Sequence, residues 1–330
     1  NTLRKASVDL VDNLSKLNKK ADQLKFSIIP FSEYVNVGMG NRKKPWMDVP
    51  DDWTETIINP PYQVSDVIGQ TNCRQVSWPA TPPTPPSPPG TCYNDGVPYS
   101  CGGSSGYPGS PAGSGQACDP IYGPPRTVTP PPTYIYHKFH GCVGSRTSPY
   151  DTKDESYTIK VPGLMDRTCG TPILEMTSNT QQVKQTIQGL TPNGETYIPA
   201  GVMWGWAMLT PKAPFEAQTN TAANPVRKFM ILMTDGLNTR SPTYPLHEGS
   251  NTTQSNNLTK QICQNIAADK DDGIMVFSVA FAVNDAAIKS ILKDCATNTG
   301  GQFFDAQNAQ QFLTAFSKIS SVITELRLSK

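Results

Sequence analysis

Along this chain the spacing of apolar positions changes from segment to segment, and each change marks an element. Leu3, Ala6, Leu10, Leu14, Leu17, Ala21 and Leu24 recur at intervals of three and four. That is the apolar stripe of a helix, predicted from Thr2 to Leu24. "KFSIIPFSEYVNVG", Lys25 to Gly38, predicts two strands joined by a turn. Regular pattern returns near Pro172. A helix capped by Ser178 is predicted to run to Leu190, with Gln181 as a weak capping-box partner, and another runs from Ile198 to Thr210. Phe229 to Met233 is an unbroken apolar run inside a strand predicted over Lys228–Thr234, as expected where a strand is covered on both faces. A helix over Asn257–Asp271, a strand over Ile274–Ala282, a helix over Asp285–Thr297, a short strand over Gly301–Ala306 and a last helix from Asn308 to Leu326 complete the series. Strands alternating with helices predict an α/β fold with a mostly parallel sheet.

Between these regions the pattern lapses. More than half of the 31 prolines lie between Pro79 and Thr133, and "TPPTPPSPPG" and "CGGSSGYPGSPAGSG" alternate proline- and glycine-rich sequence. Such composition buries too little apolar surface to offset chain entropy. The expected organisation is residues 1–38 and 171–330 as one α/β domain and 39–170 as a long irregular insertion, with disorder over 79–133.

Charge narrows the function classes. The net charge is +1 and no basic stripe is present, which argues against nucleic acid. The longest apolar stretch, Ile274 to Val283, is too short for a membrane helix of about 20 residues. The chain opens on asparagine, which suggests that Asn1 is not the start of the gene product. Eight cysteines without C-x-x-C spacing, six of them in the insertion, favour an oxidising compartment. Cys263 and Cys295, on successive helices flanking the Ile274 strand, form the best-supported expected disulfide. Six insertion cysteines allow 15 pairings, among which Cys142 with Cys169 is one guess. His137, His140 and Cys142 offer an alternative zinc reading that lacks a fourth ligand. Trp204 and Trp206 fit core packing better than a sugar platform. The sequons at Asn13, Asn251 and Asn257 carry no functional reading.

Asp235 directly follows the Lys228 strand, at the carboxyl edge where open α/β sheets bind ligands. A carboxylate buried there would need a partner. "LMTDGLNT" after a buried strand, with "GETYIPAG" upstream, resembles the von Willebrand factor A domain, a Rossmann-like three-layer sandwich. Adding "FSEYVNVG", "PWMDVP", "GCVGSR", "WGWAMLTPKAPF" and "LRLSK", the chain resembles TadG-type pilus assembly proteins of the tight-adherence (Flp) system over residues 1–50 and 135–330. The resemblance implies a metal-ion-dependent adhesion site in which Thr196 is the loop threonine and Asp235 the later aspartate, binding Mg²⁺ or Mn²⁺. It also implies a non-enzymatic protein outside the bacterial inner membrane, anchored by a segment upstream of residue 1. Its partner would be a pilin, another assembly component or an external surface. The D-x-S-x-S motif of that site is absent. The expectation is therefore a sheet without its first strand and weak or no cation binding by this chain alone.

The rival readings are an adhesin or passive spacer with an inactive site, and a hydrolase. No G-x-S-x-G, P-loop or dinucleotide-binding fingerprint occurs, and the three histidines all lie in loop-like sequence. These absences argue against an enzyme.

Overall fold

The computed structural model describes residues 2–16, 23–87, 90–94, 97–103, 105–155, 157–192, 194–221 and 225–328. The chain divides into two compact units, one made of residues 1–54 and 136–330 and the other of Glu55–Ile135.

The larger unit is mixed α/β. Its elements in chain order are α1 (Thr2–Ser15), β1 (Phe26–Ile28), β2 (Val35–Asn36), β3 (Met47–Asp48), β4 (Phe139–Val143), β5 (Val161–Met165), β6 (Leu174–Thr177), α2 (Thr180–Gly189), α3 (Ile198–Ala207), β7 (Lys228–Thr234), β8 (Ser241–Thr243), β9 (Leu246–Gly249), α4 (Thr252–Ala268), β10 (Ile274–Phe281), α5 (Ala286–Thr297), β11 (Phe303–Ala306) and α6 (Ala309–Leu328). β7, β10 and β11 form a parallel three-stranded sheet in that order, with Lys228 opposite Ile274 and Ser278 opposite Phe303. β1 pairs antiparallel with β6 in a separate two-stranded sheet. β2, β4, β5 and β3 form a four-stranded sheet, antiparallel except for the β5–β3 pair.

Alternation along β7 sets up the core. Met230 and Leu232 join a cluster with Ile198 and Val202 of α3, Ile262 of α4 and Leu292 of α5. Phe229, Ile231 and Met233 pack into a second cluster with Leu10 of α1 and Phe312 and Ile319 of α6. Successive strand residues point to opposite faces, so an unbroken apolar run is what this environment selects. Each fully buried aliphatic or aromatic side chain contributes about 1.5–3 kcal/mol. At the start of β7, Lys228 and Asp272 form a buried ion pair at 2.6 Å.

Several boundaries differ from the sequence pattern for local reasons. α2 is capped by Asn179, whose side chain accepts from the Gln182 amide, so neither Ser178 nor Gln181 sets its start. α4 begins at Thr252 rather than Asn257, because Asn251 caps it and the hydroxyl of Ser255 donates to the Arg240 carbonyl. α5 starts as expected, with Asp285 accepting from the Ile288 amide. α1 ends at Ser15, and the expected continuation through Leu17 and Ala21 falls outside the described residues.

Residues 39–54 and 136–170 belong to the larger unit. Trp46, Met47, Phe139, Val143 and Val161 are buried in one cluster with Tyr197 and Trp204. The division therefore lies at 55 and 135 where the sequence pattern places it at 39 and 170. Short strands two to five residues long give too little periodicity to be recognised.

The smaller unit consists of antiparallel ribbons. Val67–Trp78 pairs with Gly113–Tyr122, crosslinked by Cys73–Cys118, and Gly90–Asn94 pairs with Val97–Cys101. Outside residues 88–100, none of its described apolar side chains is buried. Strands and a ladder thus occupy the stretch where disorder is expected. Thr81 and Thr84 face Ser110 and Tyr107. The Thr81 amide donates to the Ser110 carbonyl at 2.9 Å and the Thr84 amide to the Tyr107 carbonyl at 3.0 Å. The Ser110 and Tyr107 amides donate back to the threonine hydroxyls at 2.9 and 3.0 Å. Two prolines fill the interval between paired threonines, so bonding recurs every third residue. The strands lie so close that a methyl on Gly109 would sit 2.1 Å from the Thr81 carbonyl oxygen.

Candidate functional site

Three loops meet at the carboxyl edge of the parallel sheet. Ser32, after β1, accepts from the Tyr197 amide, and the Thr196 carbonyl accepts from the Thr239 and Arg240 amides beyond β7. Asn238 Oδ1 accepts from the Ile198 amide at 2.8 Å and so satisfies the start of α3 from another loop. This clasp brings the Thr196 loop to the residue that follows Asp235: a methyl built on Gly236 would lie 3.6 Å from Thr196 Oγ1. Thr196 is half-buried and Asp235 is exposed. The expectation that Asp235 is a buried charge requiring a partner is corrected, since water solvates an exposed carboxylate. Neither the Asp235 carboxylate nor the Thr196 hydroxyl bonds to another described residue. Leu237, 42% exposed, and Glu195 flank them.

A divalent cation such as Mg²⁺ wants octahedral oxygen coordination and is usually held through one or two carboxylates with further oxygen ligands and water. One hydroxyl and one carboxylate do not make such a site by themselves. No cluster of three or more His, Cys, Asp or Glu among the described residues could hold a metal. The zinc alternative also fails, because Cys142 is fully buried in a disulfide with Cys169. Cys263 and Cys295 are bonded as expected, joining α4 to α5. Trp204 and Trp206 are buried in the core.

Below this edge lies a polar cluster that sequence reasoning misses. All three histidines lie in strands rather than loops, and His247, in β9, is 1% exposed. Its ring stacks between Tyr34 and Tyr197, with centroids at 4.9 and 4.1 Å. His247 Nδ1 lies 2.5 Å from the Glu33 carbonyl oxygen, which only accepts, so Nδ1 carries the proton. Burial pushes the imidazole down to about 4, leaving it neutral at pH 7 with Nε2 as an acceptor for the Ser145 hydroxyl at 2.8 Å. With its one proton given to His247, Ser145 keeps its lone pairs as acceptors. Nearby, Tyr244 donates to Asp151 Oδ2, and burial with that carboxylate holds the Tyr244 phenol well above its usual range. Arg146, between the Tyr150 and Tyr157 rings, donates to the Lys153 and Glu155 carbonyls. Burial also raises the Asp154 carboxyl, which accepts from Thr210 and Tyr157.

A serine beside a neutral histidine has the outline of a nucleophile and base, but the Gly144 and Ser145 amides donate to the Pro162 and Pro245 carbonyls. Neither amide faces an oxyanion. The cluster instead packs the His247 ring against Tyr197, the residue beside Thr196. No helix among the described residues is long and apolar enough to cross a membrane. No protein-family model matches the sequence, and no curated protein matches it.

Proposed function

We propose that the chain is a non-enzymatic binding module of von Willebrand factor A type, belonging to a bacterial Flp-pilus assembly protein and working outside the inner membrane. It engages a protein partner at the carboxyl edge of the parallel sheet. The observation that carries this reading is the approach of the Thr196 hydroxyl to Gly236, the chain neighbour of Asp235, on two clasped loops at that edge, with neither the hydroxyl nor the carboxylate bonded to another described residue. Leu237 and Glu195 extend the same surface. Docking is assigned to these groups themselves, because the described donors are too few to hold Mg²⁺ or Mn²⁺.

The parallel sheet supports the same reading. β7 has β10 on one side and, among the described residues, no strand partner on the other. Phe26 of β1 packs in the cluster that takes Phe229 and Ile231, while Phe31, after β1, and Met176 of β6 pack against the cluster that takes Met230 and Leu232. In a three-layer sandwich of this type a further strand lies between β1 and β7, pairs with the free edge of β7 and brings the remaining cation ligands.

The test is Thr196→Ala and Asp235→Ala in the full-length protein in its own cells, scored by assembled surface pilin and by the protein's steady-state level. The expected outcome is loss of surface pilin at unchanged protein level. Normal assembly in both variants overturns the reading in favour of a passive spacer.

A further inference from the structure

A cavity of about 40 Å³ lies between α3 and the 144–157 segment, lined by Ser145, Asp151, His247 and Arg146 among its polar groups and by Met203 and Trp204 of α3. Asp151 is 7% exposed, and its Oδ1 has no hydrogen-bond partner among the described residues. Its other oxygen is committed to Tyr244. A buried carboxylate oxygen left unpaired costs about 1–3 kcal/mol or more, so the site itself points to a ligand.

The chemistry of the walls says which. Ser145 gives its proton to His247 and keeps its lone pairs. Asp151 Oδ1 and Ser145 Oγ are therefore both acceptors, and a guest joining them must donate twice. That excludes anions. An ammonium ion donates enough bonds, but the Arg146 guanidinium lines the same small space. The Asp151 carboxylate therefore already has its counter-charge beside it, and a second cation is not needed. A neutral double donor remains. A water needs about 10–15 Å³ of such space, which the cavity provides.

We infer that this cavity is a binding site for a structural water that donates to Asp151 Oδ1 and Ser145 Oγ. The water joins the Asp151–Tyr244 pair to the Ser145–His247–Tyr197 chain. It thereby ties the 144–157 segment to the residue beside Thr196. The inference is independent of the pilus reading.

The experiment is a high-resolution crystal structure of the wild-type chain, with water-to-protein NMR cross-relaxation recorded at the non-exchanging ring protons of His247 and Tyr197. The expected result is one solvent peak about 2.7–3.0 Å from Asp151 Oδ1 and a long-lived water signal at both rings. Asp151→Leu, which fills the space with methyl groups, is expected to erase that signal. A protein donor on Oδ1 in a closed cavity, or no long-lived signal in the wild type, overturns the inference. So does a signal that persists in Asp151→Leu, or an ammonium ion found bound after exchange into ammonium chloride. If Asp151→Leu fails to fold, the wild-type data decide alone.

Discussion

His247 is the residue whose surroundings most constrain its chemistry. Its imidazole titrates near 6.5 when exposed and is pushed down to about 4 by burial. Between those values the unfolded chain binds a proton that the folded chain refuses. Stability therefore falls as pH drops from 6.5 towards 4 and is flat with respect to this group above 6.5. The shift corresponds to roughly 3 kcal/mol. Urea midpoints of the wild type at pH 7 and pH 5 are expected to differ by more than those of His247→Gln, and equal differences would remove His247 as the cause. Asp235 is the contrasting case. It is exposed, no other described residue bonds to it, and its role rests on what it presents to a partner. The pattern of apolar residues predicted a carboxylate at a sheet edge, yet could not tell a buried one from a hydrated one. Depth at that position is set by the turn after β7 and not by the strand.

Among the elements, those covered on two faces were the most legible. The bounds of β7 coincide with the strand predicted around its apolar run, and β10 and α5 differ from expectation by a residue. α4 shows why others were not. Its first turns are polar, and they are helical because Asn251 caps them and because Ser255 and Thr259 bury their hydroxyls against backbone carbonyls. The Ser145–His247 contact spans 102 residues and leaves no local trace. The approach of the Thr196 loop to the turn holding Asp235 and Gly236 was anticipated only through resemblance to a family, since loop closure has no period. The Cys263–Cys295 bond closes a sequence separation of 32 residues between α4 and α5. Chain-entropy arguments give such a loop about 3–4 kcal/mol of stabilisation. Replacing both cysteines with alanine should lower the urea midpoint accordingly. An unchanged midpoint would mean that the packing of Ile262, Ile266 and Leu292 alone holds the helix pair.

At the scale of the molecule, the two units are held together internally by different means. The larger depends on buried apolar clusters, whereas the smaller relies on backbone ladders and covalent crosslinks. Gly109→Ala discriminates between them, because its methyl meets the Thr81 carbonyl and must part the two strands. Losing the pair of bonds between Thr81 and Ser110 should speed exchange of those amides roughly tenfold or more. The amides of β7 and β10 should exchange at their wild-type rate, and a uniform acceleration would mean that the two units unfold as one. The threonine ladder carries one more implication. Because bonding recurs at every third residue on both strands, a change of one or two residues on either side would place a proline, which has no amide proton, where a threonine must donate. Between these two rungs, insertions and deletions therefore keep both only as whole triplets, matched on both strands, so the spacing there is counted in threes.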